Sequence, residues 1–173
     1  MTNRRATILW LLVALVVFAA GTLYSKLRAT VAPAPAWQRP VSELNDEQRR
    51  FHARLRGQLK AAERARGQSG TWPPAPGTFN DTWLMRRQGV YVNYLGESEG
   101  LRWLVLFIEP DPPSRREFAA PPEPPPPEDA EHHTLSDGTA LHVTVWTQPL
   151  TEPPTDLVSA FPAAEGWVER VER

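Results

Sequence analysis

Apolar residues fall into distinct patterns along this chain, and each pattern predicts a different element. From Ala6 to Ser25 no position is charged, and apolar side chains run all round the helical wheel. Twenty residues make a helix of about 30 Å, enough to cross a bilayer. Trp10 and Tyr24 sit near its ends, where amphipathic aromatics favour the interface. The pattern predicts a transmembrane anchor over 6–25. Arg4 and Arg5 precede it and Lys26 and Arg28 follow it, so the basic flanks tie at two against two. Orientation rests on the short tail: residues 1–5 stay in the cytoplasm and the rest is exported. A cleaved signal peptide ending near Ala19-Ala20-Gly21 is the rival reading, although the apolar run is long for a signal sequence.

After an Ala/Pro-rich linker over 26–41, the period becomes helical. Phe51, Leu55, Leu59 and Ala62 recur at spacings of three and four. Asn45 with Gln48 three residues on spells a capping box, Asp46 and Glu47 suit the positive end of the helix dipole, and Gly67 marks the stop. Arg49, Arg50, Arg54, Arg56 and Lys60 form the other faces, a solvated surface or an attraction for anionic headgroups.

The period then shortens to two. Thr82–Arg87 reads as a strand, and Val90–Leu95 alternates. Gly96–Gly100 turns the chain. Leu101–Ile108 is apolar on both faces, as a central strand covered twice would be. The helix can cover one face; the C-terminal segment or a partner must cover the other. Residues 110–128 hold nine prolines and read as an insert between strands. Asp137-Gly138 between two alternating runs then signals a second hairpin. Near the end, Thr155 or Asp156 caps a short predicted helix, Leu157–Glu165, with Trp167, Val168 and Val171 packing back. The resulting expectation is an α+β protein: an N-terminal transmembrane helix, then an exported domain over 42–173 with helices packed on a four- to five-stranded antiparallel sheet.

Two stretches carry candidate chemistry. Gly96-Glu97-Ser98-Glu99-Gly100 matches the letters of the serine-hydrolase elbow, G-x-S-x-G. That device needs a helix after the turn, and here a strand follows, so Ser98 reads as a loop residue and a hydrolase is the least favoured reading. The second stretch is Glu131-His132-His133. A tight turn at Asp137-Gly138 puts His133 opposite His142; a three-residue loop puts His132 there instead. Either way two imidazoles share a cross-strand site, where Cβ atoms lie about 4.5–5.5 Å apart. His133, His142, His132 and Glu131 are therefore candidate ligands for a divalent metal such as zinc. Zinc usually takes three or four protein ligands, and a simple surface pair of histidines is the competing reading.

Composition narrows the rest. All acidic residues lie at Glu43 or later, and residues 40–173 carry 20 acidic and 14 basic side chains, a formal charge of −6. A nucleic-acid partner is not expected of such a surface. The absence of cysteine removes disulfides, thiolate ligands and a cysteine nucleophile. No acid/base pair or nucleophile–base pair is evident, so the chain reads as a non-enzyme without a cofactor. The leading expectation is an accessory or interaction protein of the bacterial envelope, single-pass in the inner membrane with a periplasmic domain and an envelope protein as partner. The alternative is a metal-binding accessory protein built on the histidine hairpin.

The anchor, the amphipathic helix, Trp72-Pro73-Pro74, the Asp81-Thr82-Trp83 step, the Tyr94-Leu95-Gly96 strand end and Val145-Trp146 follow one another in order. This layout resembles a group of uncharacterised single-pass, membrane-anchored bacterial proteins sometimes associated with metal-uptake transporters. The resemblance spans roughly Leu44 to Trp146. It carries over no site residue, and implies at most a connection with metal.

Overall fold

The computed structural model describes residues 34–79, 83–110, 127–151 and 158–172. Contacts divide the chain into two units, 1–35 and 36–173, and the second holds every described element. Among the described residues no helix is long and apolar enough to cross a membrane. The tail expected at 1–5, the anchor expected at 6–25, half of the linker and most of the proline insert lie outside the described residues.

The described fold is α+β: one long helix on a mixed seven-stranded sheet. In chain order the strands are β1 (Gln38–Pro40), β2 (Leu84–Gln88), β3 (Tyr91–Ser98), β4 (Leu101–Ile108), β5 (His132–Thr134), β6 (Ala140–Pro149) and β7 (Val168–Val171). Helix α1 runs Asp46–Ser69 between β1 and β2. The sheet order is β1-β7-β6-β4-β3-β2, with β5 also on β6, alongside the β7-bearing edge. The five expected strands are present as β2–β6. The expectation of an antiparallel sheet of four or five strands is corrected by β1 and β7, which pair in parallel, Gln38 opposite Glu169. Both are too short, at three and four residues, for a period-two pattern to register. β1 also lies inside the stretch read as linker.

Helix α1 starts as its sequence dictates. Asn45 Oδ1 accepts from Gln48 N at 2.9 Å, and Gln48 Oε1 accepts from Asn45 N at 3.1 Å, closing the capping box. It does not stop at Gly67 but runs to Ser69 and ends on Gly70, whose φ of 73° admits the left-handed cap. Gly67 serves close approach instead: a Cβ there would stand 2.5 Å from Ser136 Oγ. The stripe of Phe51, Leu55, Leu59 and Ala62 is buried, as are two polar residues beside it, His52 and Glu63.

β4 is central, hydrogen-bonded to β3 and β6 along its full length. Its Trp103, Val105 and Phe107 join the helix stripe with Val92, Tyr94, Leu141, Val143 and Val145 in one core. Phe51 meets Trp103 at 4.9 Å between ring centroids. Each such Leu, Val or Phe side chain contributes about 1.5–3 kcal/mol on burial. Leu104 and Leu106 form a second core on the opposite face with Leu95, Trp146 and Trp167. The chain's own C-terminal segment therefore covers that face. Asn93 pins it, accepting from Ser159 N at 2.6 Å and donating to Ser159 O at 3.1 Å. Among the described residues 158–165, a short 3₁₀ turn, Pro162–Glu165, stands where part of a helix over 157–165 was expected, because Pro162 would fall inside that longer helix, where it has no N–H to donate.

Candidate functional site

The histidine hairpin joins β5 to β6 by the three-residue loop Ser136-Asp137-Gly138. Leu135 N donates to Thr139 O and Gly138 N to Leu135 O, both at 2.9 Å, while Asp137 Oδ1 accepts from Thr139 N at 2.9 Å. The pairs are His132 with His142, His133 with Leu141 and Thr134 with Ala140. Of the two registers open to the sequence, the one pairing His132 with His142 is observed. The tight-turn register, with His133 opposite His142, is corrected. A one-residue slip exchanges the faces of a strand, and the loop geometry decides between them.

The two adjacent histidines consequently part. His132 stacks on His142 with ring centroids 5.0 Å apart and planes inclined by 16°. His133 shares the helix-facing side with Leu141, and its Nδ1 donates to Glu63 Oε1 on α1 at 2.8 Å. Glu63 occupies a stripe position one residue after Ala62, so the sequence contained the signal for a carboxylate facing the sheet. The side chains of Glu63 and His133 are both mostly buried.

Asp129 is the second residue that sequence reasoning missed. Its Oδ1 accepts from the backbone N of Glu131 at 2.7 Å and of His132 at 2.8 Å, and lies 3.0 Å from His132 Nδ1. An aspartate that accepts from the amides two and three residues further on is an Asx turn, which is a local signal. The Glu131 amide, then the His132 ring and the His132 amide, hold the Asp129 carboxyl down to about 2. Glu131 Oε2 lies 3.7 Å from His142 Nε2, and the side chains of His132, Glu131 and His142 are each a third or more exposed. A cleft of about 360 Å³ opens along the β5 edge beside Lys60, Glu63, Asp129, His132 and His133. Among the described residues, no group of three or more histidine, aspartate or glutamate side chains stands ready-made around a metal position.

Ser98 stands elsewhere. It is the last residue of β3, opposite Leu101, and its carbonyl accepts from Trp103 Nε1 at 2.9 Å. The turn is two residues, Glu99 and Gly100, with φ of 51° and 74°, rather than the five residues expected. Such a turn matches the twist of the flanking strands. Gly100 is there for its backbone conformation, and Gly96 for another reason: a Cβ would stand 2.3 Å from the Trp83 ring. Both glycines of the G-x-S-x-G letters thus have structural causes. A strand follows the turn, and among the described residues no histidine or carboxylate hydrogen-bonds the Ser98 hydroxyl.

Glu109, just past β4, is a buried carboxylate with three donors. Arg66 Nε and Trp72 Nε1 reach Oε1 at 2.9 and 3.1 Å, and Arg87 Nη2 reaches Oε2 at 2.6 Å. This cluster ties α1, the following loop and β2 to the end of β4. Its acceptor capacity is spent on the fold, unlike that of the hairpin.

Fold and hairpin together define a small α+β domain with imidazoles and carboxylates gathered at a sheet edge. Comparison with protein-family models, with curated proteins and with solved structures finds no match to the chain.

Proposed function

We propose that this chain is a membrane-tethered, non-catalytic accessory or interaction protein of a bacterial envelope. In this reading residues 1–5 lie in the cytoplasm, 6–25 cross the inner membrane, and the α+β domain works in the periplasm on an envelope protein partner. The uncharged 20-residue run supports the tether. The observation that carries the reading is the position of β1. It begins at Gln38, thirteen positions after Ser25. Few positions of sequence separate the uncharged run from the first strand. A folded domain on so short a lead works on targets close to the bilayer. The domain's buried carboxylates support the non-catalytic part: Glu63 and Glu109 are engaged by His133, Arg66, Arg87 and Trp72, and Glu169 by Gln38.

The test is made on the full-length chain in its native membrane. It should resist extraction at alkaline pH, and protease added to spheroplasts should digest the domain. In-membrane crosslinking should return the same envelope protein repeatedly. Release into the soluble fraction, or protection of the domain in spheroplasts, would overturn the tethered reading. Crosslinking that yields only the monomer would overturn the interaction.

A further inference from the structure

We infer that the exposed face of the β5–β6 hairpin is a binding site for one divalent transition-metal ion of the zinc class. Its ligands are His132 Nε2, His142 Nε2 and the Glu131 carboxylate. Imidazole and carboxylate donors suit zinc and its borderline neighbours, and the chain has no thiolate to draw softer ions elsewhere.

Three features of the geometry support this assignment. First, the register sets His132 directly across from His142 and the rings stack at 5.0 Å. Stacked imidazoles satisfy none of each other's nitrogen donors or acceptors, so the pair gains from an ion that engages both. Second, Asp129 lies within hydrogen-bond distance of His132 Nδ1 through both oxygens, at 3.0 and 3.1 Å. A carboxylate on Nδ1 fixes the proton there and leaves Nε2 with a free lone pair, the arrangement that supports histidine ligands in metal sites. The Asp129 carboxylate is itself locked by two backbone amides. Third, Glu131 Oε2 and His142 Nε2 lie 3.7 Å apart, too far for a hydrogen bond. Two ligands on one tetrahedral zinc ion, each at about 2.0–2.1 Å, stand about 3.3 Å from one another. These two groups are thus already spaced almost as a shared ion requires.

Binding then needs one movement. The His132 ring turns about its side-chain bonds to bring Nε2 towards the other two donors, and its partial exposure leaves room to do so. The fourth position is open to water or to a donor from a partner. His133 takes no part, because Glu63 holds it on the opposite face. This site stands independently of the membrane tether.

The experiment titrates zinc chloride, and separately nickel chloride, into the full chain in detergent micelles after chelator treatment, followed by calorimetry. One ion per chain is expected. His132→Ala and His142→Ala should each abolish saturable uptake, and Asp129→Asn should weaken it by about 10–100-fold. His133→Ala should leave affinity within about threefold, in keeping with its place outside the ligand set. The imidazole NMR signals of the wild-type chain give a readout that needs no variant to fold. Zinc should perturb His132 and His142 and spare His52. No uptake at micromolar metal, uptake that survives the His132→Ala/His142→Ala double variant, or loss on His133→Ala with His132 and His142 unperturbed would each overturn the assignment.

Discussion

Glu63 on α1 accepts a hydrogen bond from His133 on β5 at 2.8 Å, across seventy residues of sequence. This contact docks the helix on the hairpin and separates His133 from its neighbour His132. The Glu63 and His133 side chains retain only 11% and 17% of their exposure, so removing one leaves the other poorly solvated. Glu63→Ala should destabilise the chain by about 1–3 kcal/mol. Glu63→Ala combined with His133→Ala should cost less than the sum of the singles, with a coupling of about 0.5–3 kcal/mol. Urea unfolding of the detergent-solubilised chain, read by tryptophan fluorescence, measures both. Strict additivity would show that the contact contributes nothing.

Trp83 lies flat against Gly96, and there is no space between them for a methyl group. Gly96→Ala should therefore cost about 1–3 kcal/mol, in the range of an overpacked core. Adding Trp83→Ala should recover none of the lost ring packing but should remove the clash, so the second step ought to cost less than Trp83→Ala alone. A Gly96→Ala variant as stable as wild type would refute this close approach.

Glu109 is 7% exposed and carries three donors, whereas Arg87 is 45% exposed. Glu109→Ala leaves Arg66 Nε and the Trp72 N–H without their acceptor and should cost about 3–5 kcal/mol, as breaking a buried pair does. Arg87→Ala removes a donor with ready access to water and should cost about 1 kcal/mol or less. Denaturation midpoints of the two variants would rank them directly. Equal losses would mean that the cluster is solvated throughout.

His52 is buried against Trp103, with no hydrogen-bond partner on its Nε2 among the described residues. Burial, reinforced by the nearby Arg56 guanidinium, lowers its pKa from 6.5 to about 4. Below pH 6.5 the unfolded chain takes up a proton at this position that the folded chain refuses. Its contribution to stability is thus full above about pH 6.5 and declines as pH falls from 6.5 to 4, by on the order of 2–3 kcal/mol. Thermal melts across this window should show the decline in the wild type and a flatter profile in His52→Leu. A parallel slope in the variant would place the titration elsewhere.

Much of the architecture was legible because it depends on neighbours in sequence. The capping box at Asn45 and Gln48 and the stripe from Phe51 to Ala62 are set by spacings of three and four residues. The two-sided apolar run from Leu101 to Ile108 marked the centre of the sheet with its observed bounds. Half of the hairpin site was legible in the same way. Asp137-Gly138 located the loop, and two registers, each with a histidine opposite His142, followed from counting. Asp129 and Glu63 also carried local signals, an Asx turn and a carboxylate beside the stripe.

The chain's own residue order, then, determined the helix, the central strands and the short list of hairpin histidines, because periodicity and turn chemistry act over a few residues. Tertiary structure alone decided the rest. It chose the register that pairs His132 with His142, since one residue of slip moves a strand's side chains to the other face and the three-residue loop, with the Glu63–His133 contact to α1, fixes which is taken. It joined β1 to β7 across the length of the domain, a pairing between segments too short to show a pattern. It also laid Trp167 over the second face of β4, so that a face the sequence left open to a partner is the chain's own core. Each of these contacts links residues far apart in sequence, and their free energy exists only once the sheet has formed.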